Sequence, residues 1–326
     1  MITTYSRRAG GIVVAPLLVK EAPARPPGLV WIDLLEPSAE EKALVEEMTG
    51  ISIPTAEQMH EIEPSSRLYQ KNDALFMTAS VLHRSAKEEP ETRAMTFVLT
   101  GGVMISIRHS TPQSFEIFRG RVEQQPLLTE TAEVALLGLL DALVDRIADA
   151  LENVDANVNA MARTILSLGE EPPSGSKDHK EELRQIGMDQ VRCSKADESL
   201  ISLARVLTFL DSNLRQGGPK HVRMRIKSLQ RDVQSLSGYA ARLTDRLEFM
   251  LEATLGAINV EQTNIIKMFS VVAVVFMPPT LIASIYGMNF ESMPELDSPW
   301  GYPIALGVML VSAILPYALF KLRGWL

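Results

Sequence analysis

Two runs without a charged residue, Met268–Phe290 and Tyr302–Phe320, lie at the C-terminal end of the chain. No other feature limits its fold as much. A helix of about 20 apolar residues spans the hydrocarbon core of a bilayer, and both runs reach that length. A pair of buried core helices is the soluble alternative. Two uninterrupted runs joined by the polar, turn-forming residues 291–301 fit a transmembrane hairpin better. Lys267 precedes the first run, and Lys321 and Arg323 follow the second. The connecting loop carries Glu291, Glu295 and Asp297 and no Lys or Arg. The positive-inside bias then places both termini in the cytoplasm and the short loop outside, which makes residues 1–266 a cytoplasmic region. Arg7 and Arg8 before Gly11–Val19 loosely imitate a signal peptide. Pro16 interrupts the stretch and no cleavage site follows, so it reads as an early strand.

Composition narrows the function classes. The 326 residues allow two ordinary domains, or one domain plus an extended region. A net charge of −8 speaks against a general nucleic-acid binder. Cys193 is the one cysteine, which excludes an intrachain disulfide framework and a multi-cysteine zinc site. Mean hydropathy is +0.06 with 22% charged residues, so the apolar content must be concentrated, as the two runs show.

Residues 1–125 read as a mixed α/β domain. Leu29–Leu34 and Ala74–Leu82 have strand composition. Ala94–Leu99 and Val103–Arg108 flank Thr100-Gly101-Gly102, a hairpin turn. Ser38 with Glu41 forms a capping box, and Gly50 closes that helix. Residues 126–218 read as an antiparallel helical hairpin. In its first helix Leu137, Leu140, Val144, Ile147, Leu151, Val154, Val158, Met161, Ile165 and Leu168 step by three and four, a heptad seam. The second helix, about 177–214, has a less regular seam through Leu183, Ile186, Leu200, Leu203, Leu207 and Leu210. After Gly217-Gly218-Pro219 the stepping resumes from Val222 through Ile226, Leu229, Val233, Leu236, Ala240, Leu243 and Leu247 to Met250. Only isolated glycines, Gly238 and Gly256, interrupt the segment before the first run. One helix is therefore expected over 219–286, roughly 100 Å long, running from the cytoplasm through the membrane. A helix of that length needs partners, namely its own hairpin and other copies of the chain. Residues 287–301 are the external loop, 302–320 the second span and 321–326 a basic tail.

Carried into the first span, the same stepping gives a stripe: Thr263, Ile266, Ser270, Ala273, Met277, Thr280, Ser284 and Gly287. Small and hydroxyl residues dominate it. Such a face can pack helices together, or it can line a pore at the axis of an oligomer. Neither run contains Asp, Glu, Lys, Arg or His, the groups that proton-coupled transporters place at membrane depth. Neutral oxygens suit an ion that keeps its water, and Mg²⁺ dehydrates reluctantly.

Between the runs stand Tyr286-Gly287-Met288-Asn289-Phe290, Met293-Pro294-Glu295-Leu296 and Gly301-Tyr302-Pro303. This arrangement resembles the CorA family of magnesium channels, whose hallmark is Gly-Met-Asn at the end of the first of two C-terminal spans. The resemblance is dense from about residue 260 onward and thinner before it. It implies an α+β cytoplasmic domain, long coiled-coil-like helices and a two-helix transmembrane hairpin, assembled as a funnel-shaped homopentamer in the cell's inner (plasma) membrane. The cargo implied is Mg²⁺, with Co²⁺ and Ni²⁺ as alternatives. Gly287, Met288 and Asn289 would form the selectivity filter, the Asn289 amide oxygens accepting hydrogen bonds from the ion's water shell. The pore face would comprise Thr263, Ile266, Phe269, Ser270, Ala273, Met277, Thr280 and Ser284, with Ile266 and Phe269 in a hydrophobic constriction. Glu291, Glu295 and Asp297 would give an acidic mouth; Asp297 stands where relatives often carry a basic residue.

Moving a divalent cation inward through 100 mV is favourable by about 4.6 kcal/mol, on the order of a thousandfold in concentration. The resemblance therefore also implies closure by cytoplasmic Mg²⁺. Asp232, in Arg231-Asp232-Val233, and Glu88, Glu89 and Glu91 are the carboxylates it points to. The related ZntB-type zinc transporters are the nearest alternative, and Met288 after Gly287 favours magnesium and cobalt over them. A non-conducting membrane-anchored sensor or scaffold is the alternative from another class. An enzyme is not expected: His60, His83, His109, His179 and His221 show no catalytic or ligand spacing, and there is no phosphate-binding glycine loop.

Overall fold

The structure is a computed structural model and describes residues 1–8, 11–17, 25–61, 63–84, 90–166, 179–214, 219–288, 293 and 298–323. The chain divides into two compact units, Met1–Leu251 and Glu252–Leu326.

The first unit is built on a seven-stranded mixed sheet. Its strands are β1 (Ile2–Arg8), β2 (Gly11–Pro16), β3 (Leu29–Leu35), β4 (Leu68–Lys71), β5 (Ala74–Arg84), β6 (Glu91–Thr100) and β7 (Val103–Arg108). Their spatial order is β2-β1-β3-β7-β6-β5-β4. Among the described residues only β3 and β7 pair in parallel. The β6–β7 hairpin turns through Gly101 and Gly102, both at positive φ, as a two-residue loop of this twist requires. The β4–β5 hairpin does the same with Asn72 and Asp73. Sequence reading expects no strand at β1 or β4; β1 is rich in Thr, Ser and Arg, and β4 is only four residues long.

Strand alternation sorts the side chains into two cores. On one face Ile32, Leu34, Phe76, Val98, Ile105 and Ile107 pack with Leu44 and Val45 of α1 (Ala39–Thr49) and Met59 of α2 (Ala56–Met59). Helix α1 starts on the expected Ser38/Glu41 capping box and ends at Gly50 in the left-handed region. A one-turn helix, α3 (Pro64–Arg67), precedes β4.

On the other face Tyr5, Trp31, Met77, Phe97 and Met104 join the helices α4 (Gln113–Gln124), α5 (Ala132–Leu166), α6 (His179–Leu214) and α7 (Lys220–Tyr286). The expected seams are buried: Leu137 to Val158 on α5, and Val222 to Met250 on α7 with Leu236 half-buried. Leu168 lies outside the described residues. The irregular seam of α6 is in fact continuous, because Asp189, Cys193, Ala196 and Ser199 fill its middle and are all buried. Asp189 accepts from Asn157, Gln185 and Arg192. Beyond Met77, no strand among the described residues pairs with the outer side of β5. There Ser202 and Ser199 of α6 accept from the backbone N–H groups of Ser80 and Leu82, at 2.9 and 3.3 Å. The helix thereby satisfies an edge that would otherwise be open to another strand.

Two expected outcomes follow from this packing. Gly138 lets α5 approach α4 closely: a Cβ there would lie 2.6 Å from the buried Phe118 ring. Gly138→Ala is expected to cost about 1–3 kcal/mol, the range for overpacking, read as a lowered thermal midpoint; an unchanged midpoint would show that the ring moves freely. Burial, helped by the Asp189 carboxylate, pushes the Cys193 thiol up to about 11. At pH 8 the thiolate is then scarce, so iodoacetamide should label Cys193 slowly in the folded protein and rapidly in guanidinium.

Candidate ion pathway

The second unit contains the end of α7 and α8 (Gly301–Leu322), and both helices are long and apolar enough to cross a membrane. Within the apolar run of α7 the half-buried positions are Val271, Val275, Pro278, Pro279 and Ile282. On α8 they are Gly301, Ala305, Met309, Ser312, Ala313, Pro316 and Phe320. Both sets step by three and four, which marks the seam along which the two helices face each other. Small residues on α8 line that seam.

The polar stripe of α7 is not part of it. Thr263, Ile266, Phe269, Ser270, Ala273, Met277, Thr280, Ser284 and Gly287 are all exposed, with Ile266 and Phe269 at 65% and Met277 at 67%. At 100° per residue the stripe lies roughly a third to a half of a turn from the α8-facing positions. In the single chain this face is exposed, and at its inner end Thr263, Ile266 and Ser270 border a groove toward Phe320 of α8.

Its hydroxyls have a defined orientation. Thr263 Oγ1 donates to Asn259 O at 2.8 Å, Ser270 Oγ to Ile266 O at 2.8 Å and Thr280 Oγ1 to Phe276 O at 2.7 Å. Each proton is committed to the helix, so the oxygen turns only lone pairs outward. Ser270 and Thr280 are thus acceptors on the otherwise apolar end of α7, with Thr263 one turn before it.

Pro278 and Pro279 both lie inside α7. They lack the N–H groups that would bond the carbonyls of Val274 and Val275. The helix nevertheless continues to Tyr286. There Gly287 N–H donates to Ala283 O at 3.0 Å, and Met288 N–H to Ile285 O at 3.2 Å. A Cβ at Gly287 would lie 3.2 Å from the Ala283 carbonyl oxygen, so the turn is tight for any larger residue.

Asn289, Glu291, Glu295 and Asp297 lie outside the described residues, as do Glu88 and Glu89. Asp232 is exposed on α7. Glu91 opens β6 and pairs with Arg93 at 2.9 Å. Among the described residues no group of three His, Cys, Asp or Glu could hold a metal ion, so the structure of one chain does not assemble Asp232 and Glu91 into such a site.

A large α/β unit followed by two membrane-spanning helices, the first a continuation of a long stalk helix, defines a two-span membrane protein. The profile of the CorA-like Mg²⁺ transporter protein family matches residues 27–322, and the chain belongs to that family, one of ion transporters rather than enzymes. The magnesium transport protein CorA of Pasteurella multocida is 33% identical over 297 residues, covering 91% of this chain and 92% of that protein. The CorA of Escherichia coli (strain K12) is 33% identical over 299 residues, with the same two coverages. The complete CorA magnesium transporter of Methanocaldococcus jannaschii superposes with a TM-score of 0.77 at 18% identity, covering 100% of this chain and 99% of that one. The ZntB cytoplasmic domain of Vibrio parahaemolyticus shares the fold of the first unit, with a TM-score of 0.58 at 9% identity over 79% of this chain and 97% of its own.

Proposed function

We propose that the protein is a Mg²⁺ channel in the inner membrane, with Co²⁺ and Ni²⁺ as further cargo, in which the α7 stripes of five copies surround the pore. Residues 1–266 and the basic tail 321–326 then lie in the cytoplasm, Gly287, Met288 and Asn289 form the filter, and Glu291, Glu295 and Asp297 surround the mouth. Asp232, Glu88, Glu89 and Glu91 remain the candidates for closure by cytoplasmic Mg²⁺.

The observation that carries this reading is the row of hydroxyls Thr263, Ser270 and Thr280 on one exposed face of α7, each with its proton given to the helix. A hydrated Mg²⁺ presents the hydrogens of its waters outward, and an oxygen whose own proton is already committed can only accept from them. The contacts are neutral, so the ion is guided without being held. The driving force is the membrane potential, and the spans contain no ionisable group for proton coupling.

Mg²⁺ uptake into proteoliposomes with an imposed inside-negative potential tests the proposal. Uptake should follow the potential without a proton gradient. Thr280→Val, which keeps the shape and removes the acceptor, should lower it about tenfold, as expected if several weak hydrogen bonds are lost together. Uptake that needs a proton gradient, or occurs only with Zn²⁺, would favour a ZntB-like transporter. Absence of flux for every ion would leave the scaffold.

A further inference from the structure

On the face of the sheet away from α4 to α7, a pocket of about 290 Å³ opens between α2, α3 and the β4–β5 hairpin. That is at the small end of the range for ligand sites. We propose that this pocket binds a small polar α-amino acid in its zwitterionic form, the ammonium at Glu61 and the carboxylate at Lys71.

The walls of the pocket are tied down. Glu46 of α1 accepts from the Ile53 N–H at 2.7 Å, which fixes the segment leading into α2. Thr55 and Gln58 form the capping box that starts α2. Arg67 donates to the Glu61 carbonyl and to Ser80 Oγ, and so holds the segment between α2 and α3 against β5. The floor is the cross-strand pair Tyr69 and Phe76, stacked with ring centroids 4.7 Å apart. A pocket built in this way exists before its ligand arrives, which lowers the ordering cost of binding.

The side chains that line it are not tied. Among the described residues, Ser52 Oγ, Ser66 Oγ, the Tyr69 hydroxyl, the Glu61 carboxylate and the Lys71 ammonium make no hydrogen bond or ion pair. Glu61 and Lys71 therefore line one pocket more than 4.0 Å apart, each without a counter-charge. Burial, and then the Glu61 carboxylate, push the Tyr69 hydroxyl up, so the carboxylate stands near the phenol.

This arrangement selects the ligand class. A simple anion would meet Glu61 and a simple cation would meet Lys71, each with repulsion. A neutral polyol would leave both charges unmatched. A zwitterion answers both with charge-assisted hydrogen bonds, the stronger kind. Its carbon stem would lie over the Tyr69–Phe76 floor, with Ser52, Ser66 and the Gln58 amide facing its polar side chain. The pocket lies across the sheet from α7, so the proposal rests on the first unit alone and does not depend on Mg²⁺ conduction.

Isothermal titration calorimetry of the full-length protein in micelles tests it, with L-serine and L-glutamine as probes. Both should bind with a Kd of about 1 mM or lower. N-acetyl-L-serine lacks the ammonium and L-serinamide lacks the carboxylate. Each should bind about tenfold more weakly than L-serine, the weight of one charged hydrogen bond. Glu61→Gln should weaken L-serine about tenfold and should not weaken N-acetyl-L-serine. Lys71→Met should weaken L-serine by about as much and should not weaken L-serinamide. Glu61 and Lys71 are exposed, so both variants should fold, and a general structural loss would weaken every probe alike. No binding of either amino acid, equal binding of L-serine and N-acetyl-L-serine, or an L-serine affinity untouched by either substitution would overturn the proposal.

Discussion

Mg²⁺ uptake by an Asn289→Ala variant is expected to fall by two powers of ten or more, or to lose its preference among divalent ions. The amide oxygen of Asn289 would accept a hydrogen bond from the water shell of the entering ion, and a methyl group cannot. One such bond is worth about 0.5–1.5 kcal/mol, and a ring of five would multiply the loss. Asn289→Asp separates the roles of oxygen and charge. It keeps the acceptor but, in the proposed pentamer, would add five negative charges at one level, so Mg²⁺ should bind more tightly and leave more slowly. The maximal rate should fall along with the half-saturating concentration. A fluorescent Mg²⁺ indicator trapped in vesicles held at a potassium-diffusion potential reads both quantities. If Asn289→Ala conducts like the unaltered protein, Asn289 is not the filter.

Asp33→Ala should be the most damaging single change in the first unit, at about 3–5 kcal/mol. Arg108 Nη2 lies 2.9 Å from Asp33 Oδ2, and both side chains are 3% exposed. Arg108 also donates to Ser110 O and Thr111 Oγ1 and lies 3.9 Å from the Phe115 ring centroid. Asp33 accepts from Ser106 Oγ, which in turn accepts from the Trp31 indole. Removing the carboxylate strands the guanidinium where water cannot reach it, and frees the parallel β3–β7 pair from its one ionic tie among the described residues. The thermal midpoint should drop by roughly 10 °C or more. The double variant Asp33→Leu, Arg108→Met should recover most of the loss, because no unpaired charge remains. A drop below about 3 °C for Asp33→Ala would show that the pair is not needed.

The network around Asp33 also shows what reading the chain could not reach. Nothing in Leu29–Leu35 or Val103–Arg108 announces that two strands more than seventy positions apart will pair in parallel and share an ion pair. The same holds for α6. An apolar count finds a gap between Ile186 and Leu200, yet Asp189, Cys193 and Ala196 occupy the buried face as regularly as leucines would. What makes Asp189 tolerable there is the Arg192 guanidinium one turn on, with Gln185 on the same helix and Asn157 from α5. Likewise Ser202 looks like surface until the edge of β5, 122 positions away, is brought against it. Strand β1 is hard to read for a related reason: its Thr4 and Ser6 are buried by the strands on both sides, not by the composition of β1 itself.

The membrane end was far more legible. The length of the apolar runs, the placement of Lys267, Lys321 and Arg323, the stalk helix and the stripe could all be read from residue order. Each depends on a property that a residue carries with it: its transfer free energy, its charge, or its position on a 3.6-residue turn. Whether the stripe faced the second span could not be read in that way, because both helices present small residues. The half-buried positions of α7 and α8 mark which residues the pair covers, and only the packed pair defines that. Composition and period thus suffice wherever the surroundings are uniform, as in a bilayer. Where a polar group must find one particular partner, the answer lies in which distant segment folding brings to it.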